Sequence, residues 1–189
     1  MPRIDPVDTS ALDAATREML DAGEKFMGFM PNDALVMAHQ PQMLPAFLGL
    51  LGAIYGHGTV EPGLKRLIGM IASSAAGCQY CEAHTAFAAS KNDIAIEKIA
   101  AIWDYETSSL FSLRERAALR FAQKAALVPN AADDADFKEM KQFFSQSECV
   151  EILSVVSLFG FLNRWNSSLQ TELEALPAAL RKQLEKETP

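Results

Sequence analysis

The apolar residues of this 189-residue chain recur at helical spacing almost from end to end. No stretch alternates apolar and polar residues long enough to build a strand face, and β-branched residues are sparse. The pattern predicts an all-α fold of about eight to ten helices. Ser10 to Phe29 reads as the first helix, with Leu12, Ala15, Met19, Ala22 and Phe26 as its stripe and Thr9 or Ser10 as N-cap. A short helix from Asp33 to about His39 stops before Pro41. Gln42 to Tyr55 is strongly apolar, with Pro45 in its first turn, where proline is tolerated. Glu61-Pro62-Gly63 opens a long apolar helix that ends at Ala76-Gly77. Helices follow over Cys78–Ser90, Ile94–Trp103, Ser112–Leu127, Asp136–Phe144, Ser147–Leu173 and Leu176–Glu187, the Ser112 helix carrying a capping box with Glu115. No linker or low-complexity segment divides the chain, so residues 1–189 read as one domain.

Three residues within seven carry chemistry: Cys78, Cys81 and His84, in Cys78-Gln79-Tyr80-Cys81-Glu82-Ala83-His84. At about 100° per residue they lie on one drifting stripe of a helix. Cys78 follows Gly77, which places the thiols in a first turn, where free N–H groups and the helix dipole favour an anion. A neutral imidazole one turn on is able to accept a thiol proton. Zinc is a competing reading, but it needs a fourth ligand from Cys149, His57 or His39, each remote in sequence. A c-type haem site would place His directly after the second Cys. Simple packing of two buried cysteines and a core histidine is the remaining option.

The rest of the composition narrows the setting. A net charge of -7 and a pI near 5.0 exclude a phosphate-binding face, so no nucleic-acid partner is expected. The start of the chain has no apolar run of signal-peptide type, and Leu67 to Gly77 is well short of a membrane span. The expected location is cytoplasmic, where a CxxC pair is catalytic or metal-binding more often than structural.

Ala72 to Thr85 resembles the active-site segment of the AhpD-like alkylhydroperoxidases of the carboxymuconolactone decarboxylase superfamily. Phe161-Leu162-Asn163-Arg164-Trp165-Asn166 is similar to a segment of its peroxidase-related members. The resemblance covers about residues 40 to 175. It implies an all-helical homo-oligomer that reduces hydrogen peroxide or organic hydroperoxides, with no cofactor and no metal. By position, Cys81 would attack the peroxide, Cys78 would resolve the sulfenic acid as a Cys78–Cys81 disulfide, and His84 would belong to the proton relay. An external dithiol would reduce the disulfide. A helical oligomer that keeps the pair as a redox sensor or structural site is the alternative, and decarboxylation is the remoter branch.

The chain departs from that pattern twice. Only two residues separate Cys81 from His84, one fewer than in AhpD, which turns the imidazole by about 100° and puts Thr85 in the expected slot. Arg66 stands twelve residues before Cys78, where AhpD has its relay glutamate. Glu61, Glu82, Glu115 and Glu151 are the candidate replacements. An offset of 85 residues also lays Leu67-Ile68 on Ile152-Leu153, Tyr80 on Trp165, and Cys78 and Cys81 on Asn163 and Asn166, a weak symmetry that fits either an internal duplication or the chance match of two amphipathic helices. Phe26, Phe29, Phe47 and Leu50 are candidates for an apolar substrate pocket, with core packing as their default. His57 reads as a loop residue and Cys149 as a small core hydrophobe.

Overall fold

A computed structural model describes residues 2–40, 42–56 and 58–187. Pro41 and His57 therefore lie outside the described residues. The chain is all-α: α1 Ala14–Met27, α2 Asn32–Met37, α3 Met43–Tyr55, α4 Pro62–Ala75, α5 Gln79–Ser90, α6 Ile96–Ala100, α7 Leu113–Ala125, α8 Asp134–Phe143, α9 Gln146–Leu169 and α10 Ala175–Glu187. Short 3-10 turns lie at Thr9–Ala11 and Ile102–Asp104.

The first helix begins later than its apolar spacing suggests. Asp8 caps the 3-10 turn, and Asp13 caps α1 by accepting from the Thr16 amide at 2.9 Å. A side-chain carboxylate at Asp13 satisfies a free N–H that Thr9 and Ser10 are too early to reach. The expected Ile94–Trp103 helix is likewise divided, into α6 and the second 3-10 turn. The Ser112–Glu115 capping box forms as expected, and α8 and α9 carry boxes of the same kind at Asp133/Asp136 and Ser145/Glu148.

Helix α4 is the centre. Leu64, Leu67, Ile68, Met70, Ile71 and Ala72 are all buried, because α5, α7 and α9 pack around it. Its crossing with α9 is close: a Cβ on Gly69 would sit 2.4 Å from the Phe159 ring. One charged residue of α4 is also buried. Lys65 Nζ lies 3.1 Å from Glu151 of α9 and donates to the Ile54 carbonyl at 2.8 Å. Glu151 also accepts from the Thr59 and Val60 amides. This cluster ties the α3–α4 connection to α9. A buried charge of this kind is tolerable only with such partners.

The end of α4 sets up the site. Gly77 adopts φ +72, the left-handed conformation that glycine takes without a Cβ penalty. The Gly77 amide donates to the Ser74 carbonyl and the Cys78 amide to the Ser73 carbonyl, both at 3.0 Å. That is a Schellman closure of α4. Cys78 is at once the last residue of this closure and the N-cap of α5.

Candidate active site

Cys78 and Cys81 are each 2% exposed and face one another at the start of α5. Both thiols are free. The Cys78 thiol is brought down to about 6. Its chief cause is a hydrogen bond from the Cys81 thiol, which outweighs burial, with help from the Cys81 and Tyr80 amides and the Ser167 hydroxyl. Cys81 moves the other way. Its hydrogen bond to Cys78, its burial and the neighbouring charges of Cys78 and Asp33 push it up, against a donor from Asn166. The hydrogen bond between the two sulfurs thus favours the anion on Cys78 and the proton on Cys81. The family resemblance implies the other order of roles, with Cys81 attacking; Cys78 is the N-cap of α5 and Cys81 lies in the same first turn.

His84 does not spend its ring on a sulfur. Its Nε2 lies 2.6 Å from Glu174 Oε2. The ring stacks on Tyr80 at 4.2 Å, and Phe29 packs edge-on against its other side at 5.3 Å. Glu174 lies just before α10 and gathers three elements. Its Oε1 accepts from the Tyr80 hydroxyl at 2.8 Å and from the Asn32 amide at 2.6 Å. Burial alone would raise the Glu174 pKa. The His84 contact, the Asn32 amide and the Tyr80 hydroxyl outweigh it and hold the carboxyl below its ordinary value. The Tyr80 phenol is pushed up, first by burial and then by the charges of Asp33 and Glu174.

A second group approaches Cys81 from α9 and α2. Asn166 Nδ2 donates to Cys81 Sγ at 3.4 Å and to Asp33 Oδ2 at 3.3 Å. Its carbonyl accepts from the Thr171 hydroxyl at 2.8 Å, which fixes which end of the amide faces the sulfur. Burial pushes the Asp33 carboxyl up, Glu174 adds to this, and His84 and Asn166 oppose it.

The structure brings Cys78, Cys81 and His84 to one end of α5. The carboxylate that reaches His84 is Glu174, which is none of the four candidates named from the sequence. Glu61 is bound to Arg114, Glu115 to Lys98 and its own cap, and Glu151 to Lys65, while Glu82 lies in the first turn of α5. Arg66 stacks on the Tyr55 ring at 3.8 Å. The proposed apolar pocket does not form as a unit. Phe26 is 79% and Leu50 50% exposed, Phe47 packs toward Phe161, and Phe29 alone of the four reaches the site. The remote zinc candidates are engaged elsewhere: His39 lies 3.0 Å from the Asp5 carbonyl, and Cys149 faces the Phe144 carbonyl. Among the described residues, no three His, Cys, Asp or Glu side chains gather to hold a metal. A groove of about 870 Å³ lies apart from the thiols, on the outer face of α9, lined by Leu153, Phe161, Arg164 and Trp165. Among the described residues no helix is long and apolar enough to cross a membrane.

Asp33, Glu174 and Thr171 escaped the sequence reading because each sits in a segment without a motif. Asn166 left a trace, as the residue that the 85-residue offset lays on Cys81.

An all-helical protein with a CxxC dithiol at a helix start defines the class. The chain belongs to the carboxymuconolactone decarboxylase family, whose profile matches residues 41–124, and it has the AhpD-like fold. A cysteine-to-alanine variant of the debrominase Bmp8, solved in complex with 2,3,4-tribromopyrrole, is 32% identical, with a TM-score of 0.90 over 97% of this chain and 98% of that one. An AhpD-core, peroxidase-related protein from Ralstonia eutropha JMP134 superposes with a TM-score of 0.84 at 22% identity, over 93% of this chain and 94% of the other. Uncharacterised protein YnjA of Escherichia coli K12 is 25% identical over 117 residues, which is 62% of this chain and 64% of that protein, a little under two thirds of its length.

Proposed function

We propose that this protein is a dithiol-dependent reductase that delivers two electrons from Cys78 and Cys81 to a small electrophilic substrate, with a hydroperoxide as the principal substrate class. The observation that carries the reading is the pair of free, buried thiols at the start of α5, with Cys78 at the helix N-cap and a hydrogen bond from Cys81 that lowers its pKa. Cys78 is the attacking thiolate and Cys81 the thiol that closes the disulfide. His84, oriented by Glu174 and Tyr80, serves as the proton-handling group at the rim of the pair. An external dithiol returns the pair to its reduced state.

A second substrate class is favoured by the likeness to the debrominase. There the electrophile would be a bromine on an electron-rich heteroaromatic ring, and the products would be bromide and the hydrogen-bearing ring. The rings of Phe29, Tyr80 and Phe87 around His84 suit a flat organic molecule.

The working form is a homo-oligomer. Helix α3 carries no charged residue, yet Ala46, Gly49, Leu50 and Ala53 are exposed on it. An uncovered apolar face of this kind suits an interface between subunits.

The test is consumption of hydrogen peroxide and tert-butyl hydroperoxide, and bromide release from 2,3,4-tribromopyrrole, each with dithiothreitol. Thiol-dependent turnover of either class that disappears in Cys78→Ser supports the reading. A pair that oxidises readily but turns over neither class overturns it and leaves a redox sensor. In Cys81→Ser, a sulfenic acid trapped on Cys78 supports the assigned roles, and loss of all reaction in that variant reverses them.

A further inference from the structure

Two buried carboxyl groups flank the dithiol, and only one of them belongs to the imidazole. Glu174 is committed to His84, Tyr80 and the Asn32 amide. Asp33 takes no part in that ion pair. It is held instead by Asn166 Nδ2, the same nitrogen that touches Cys81 Sγ. Asn166 cannot turn away, since its carbonyl is engaged by Thr171. Asp33 is thus held near Cys81 by a side chain that itself has one orientation. The Asp33 amide also points to the Tyr80 hydroxyl, at 3.4 Å, which places the start of α2 against the same end of α5.

We propose that Asp33 is the acid that protonates the leaving group when the substrate bond breaks, a role that rests on the dithiol-reductase reading. The groups facing it are His84, Glu174, Tyr80, Cys81 and Asn166. The environment drives the two carboxyls apart: the donors around Glu174 hold it below its ordinary value, and burial pushes Asp33 up. When two titratable groups in one site are driven apart in this way, they take the acid and base roles.

The step balances for a hydroperoxide. The Cys78 sulfur bonds to the terminal peroxide oxygen as the O–O bond breaks. Sulfur loses two electrons and becomes a sulfenic acid, and the departing alkoxide takes the Asp33 proton and leaves as the alcohol. Cys81 then attacks the Cys78 sulfur, and hydroxide leaves with the Cys81 proton as water. The external dithiol reduces the disulfide and returns one proton to Cys81 and one to Asp33. The leaving alkoxide is the most basic species of the cycle, so an acid at that point lowers the barrier most.

The experiment compares tert-butyl hydroperoxide, whose leaving group is a basic alkoxide, with peracetic acid, whose leaving carboxylate needs no proton. Asp33→Asn keeps an oxygen for Asn166 to bind. The expected result is a fall of about 10²-fold in kcat/KM for tert-butyl hydroperoxide, with peracetic acid reduced by no more than about threefold. An equal loss on both substrates marks a structural role and overturns the proposal, as does no loss on either. In the wild type, the ratio of the peracetic acid rate to the tert-butyl hydroperoxide rate rises with increasing pH as Asp33 ionises. A flat ratio overturns the proposal even if the variant fails to fold. Wild-type protein that consumes no peroxide overturns the underlying function and this role with it, whereas an active wild type with an even loss in the variant removes only Asp33.

Discussion

An offset of 85 residues lays the α4–α5 pair on helix α9 in sequence, but one is broken and the other is continuous. Gly77 closes α4 and lets α5 restart, so Cys78 sits at a free helix end. Helix α9 runs 24 residues without interruption, and its residues at the matching positions, Asn163 and Asn166, lie in a helix interior. A free helix end supplies N–H groups that stabilise an anion. A helix interior has none to spare and contributes through side chains. The first segment therefore favours an anion at Cys78, and the second offers the amide that addresses its partner sulfur at 3.4 Å.

The sharpest way to break this contrast is at Cys78. Cys78→Ser is expected to lower turnover by at least about 10³-fold, read as peroxide or bromide-releasing activity, while Cys149→Ser leaves it unchanged. Next comes Glu174→Gln, which keeps the shape of the hub but weakens its hold on His84. A fall of about 10²-fold in kcat is expected, with unfolding temperature showing that the fold persists. Glu151→Ala tests the opposite region. It strips the partner from buried Lys65 and is expected to cost about 3 kcal/mol in denaturant unfolding, with the Cys78 titration unmoved. Gly77→Ala has the smallest effect. A Cβ there meets open space, so the penalty is the left-handed backbone alone, about 1 kcal/mol, or a drop of about 2–4 °C in unfolding temperature. If Gly77→Ala also shifts the α5 start, alkylation of Cys78 moves to higher pH.

The titration itself sharpens the comparison. Alkylation of Cys78 by iodoacetamide, followed by mass spectrometry, is expected to rise through about pH 6, well ahead of Cys81. The stability sign follows. A thiol whose folded pKa lies below its unfolded value of 9.0 contributes stability that is present above pH 9 and lost as pH falls through about 6. Asp33 works in reverse. Its raised folded pKa contributes stability below the unfolded value, which is lost as pH rises. Unfolding curves of Cys78→Ser and Asp33→Asn are expected to lose these opposite slopes.

Much of this molecule is legible in its residues. Helical spacing marks the all-α class, Ser112 and Glu115 mark a helix start, and Gly77 before Cys78 marks the break that makes the site. What escaped is long-range. Nothing local to Glu174 says that its carboxylate ends 2.6 Å from an imidazole 90 residues earlier. Asp33 is equally silent, as an ordinary first-turn acid until Asn166 reaches it. Spacing rules also assigned the relay carboxylate to nearby glutamates, all of which had cationic or capping partners of their own, or lay elsewhere on their helix. The first helix was placed too early because its apolar stripe extends past the residue that caps it, Asp13.

Glu174 has a further consequence when the chain is made from its N-terminus onward. Both cysteines are synthesised more than 90 residues before this carboxylate, and well before Asn166. A nascent chain therefore holds a dithiol that is not yet supplied with its partners. The reactive centre is completed only when the last two helices dock, so its chemistry is withheld until nearly the whole polypeptide has folded.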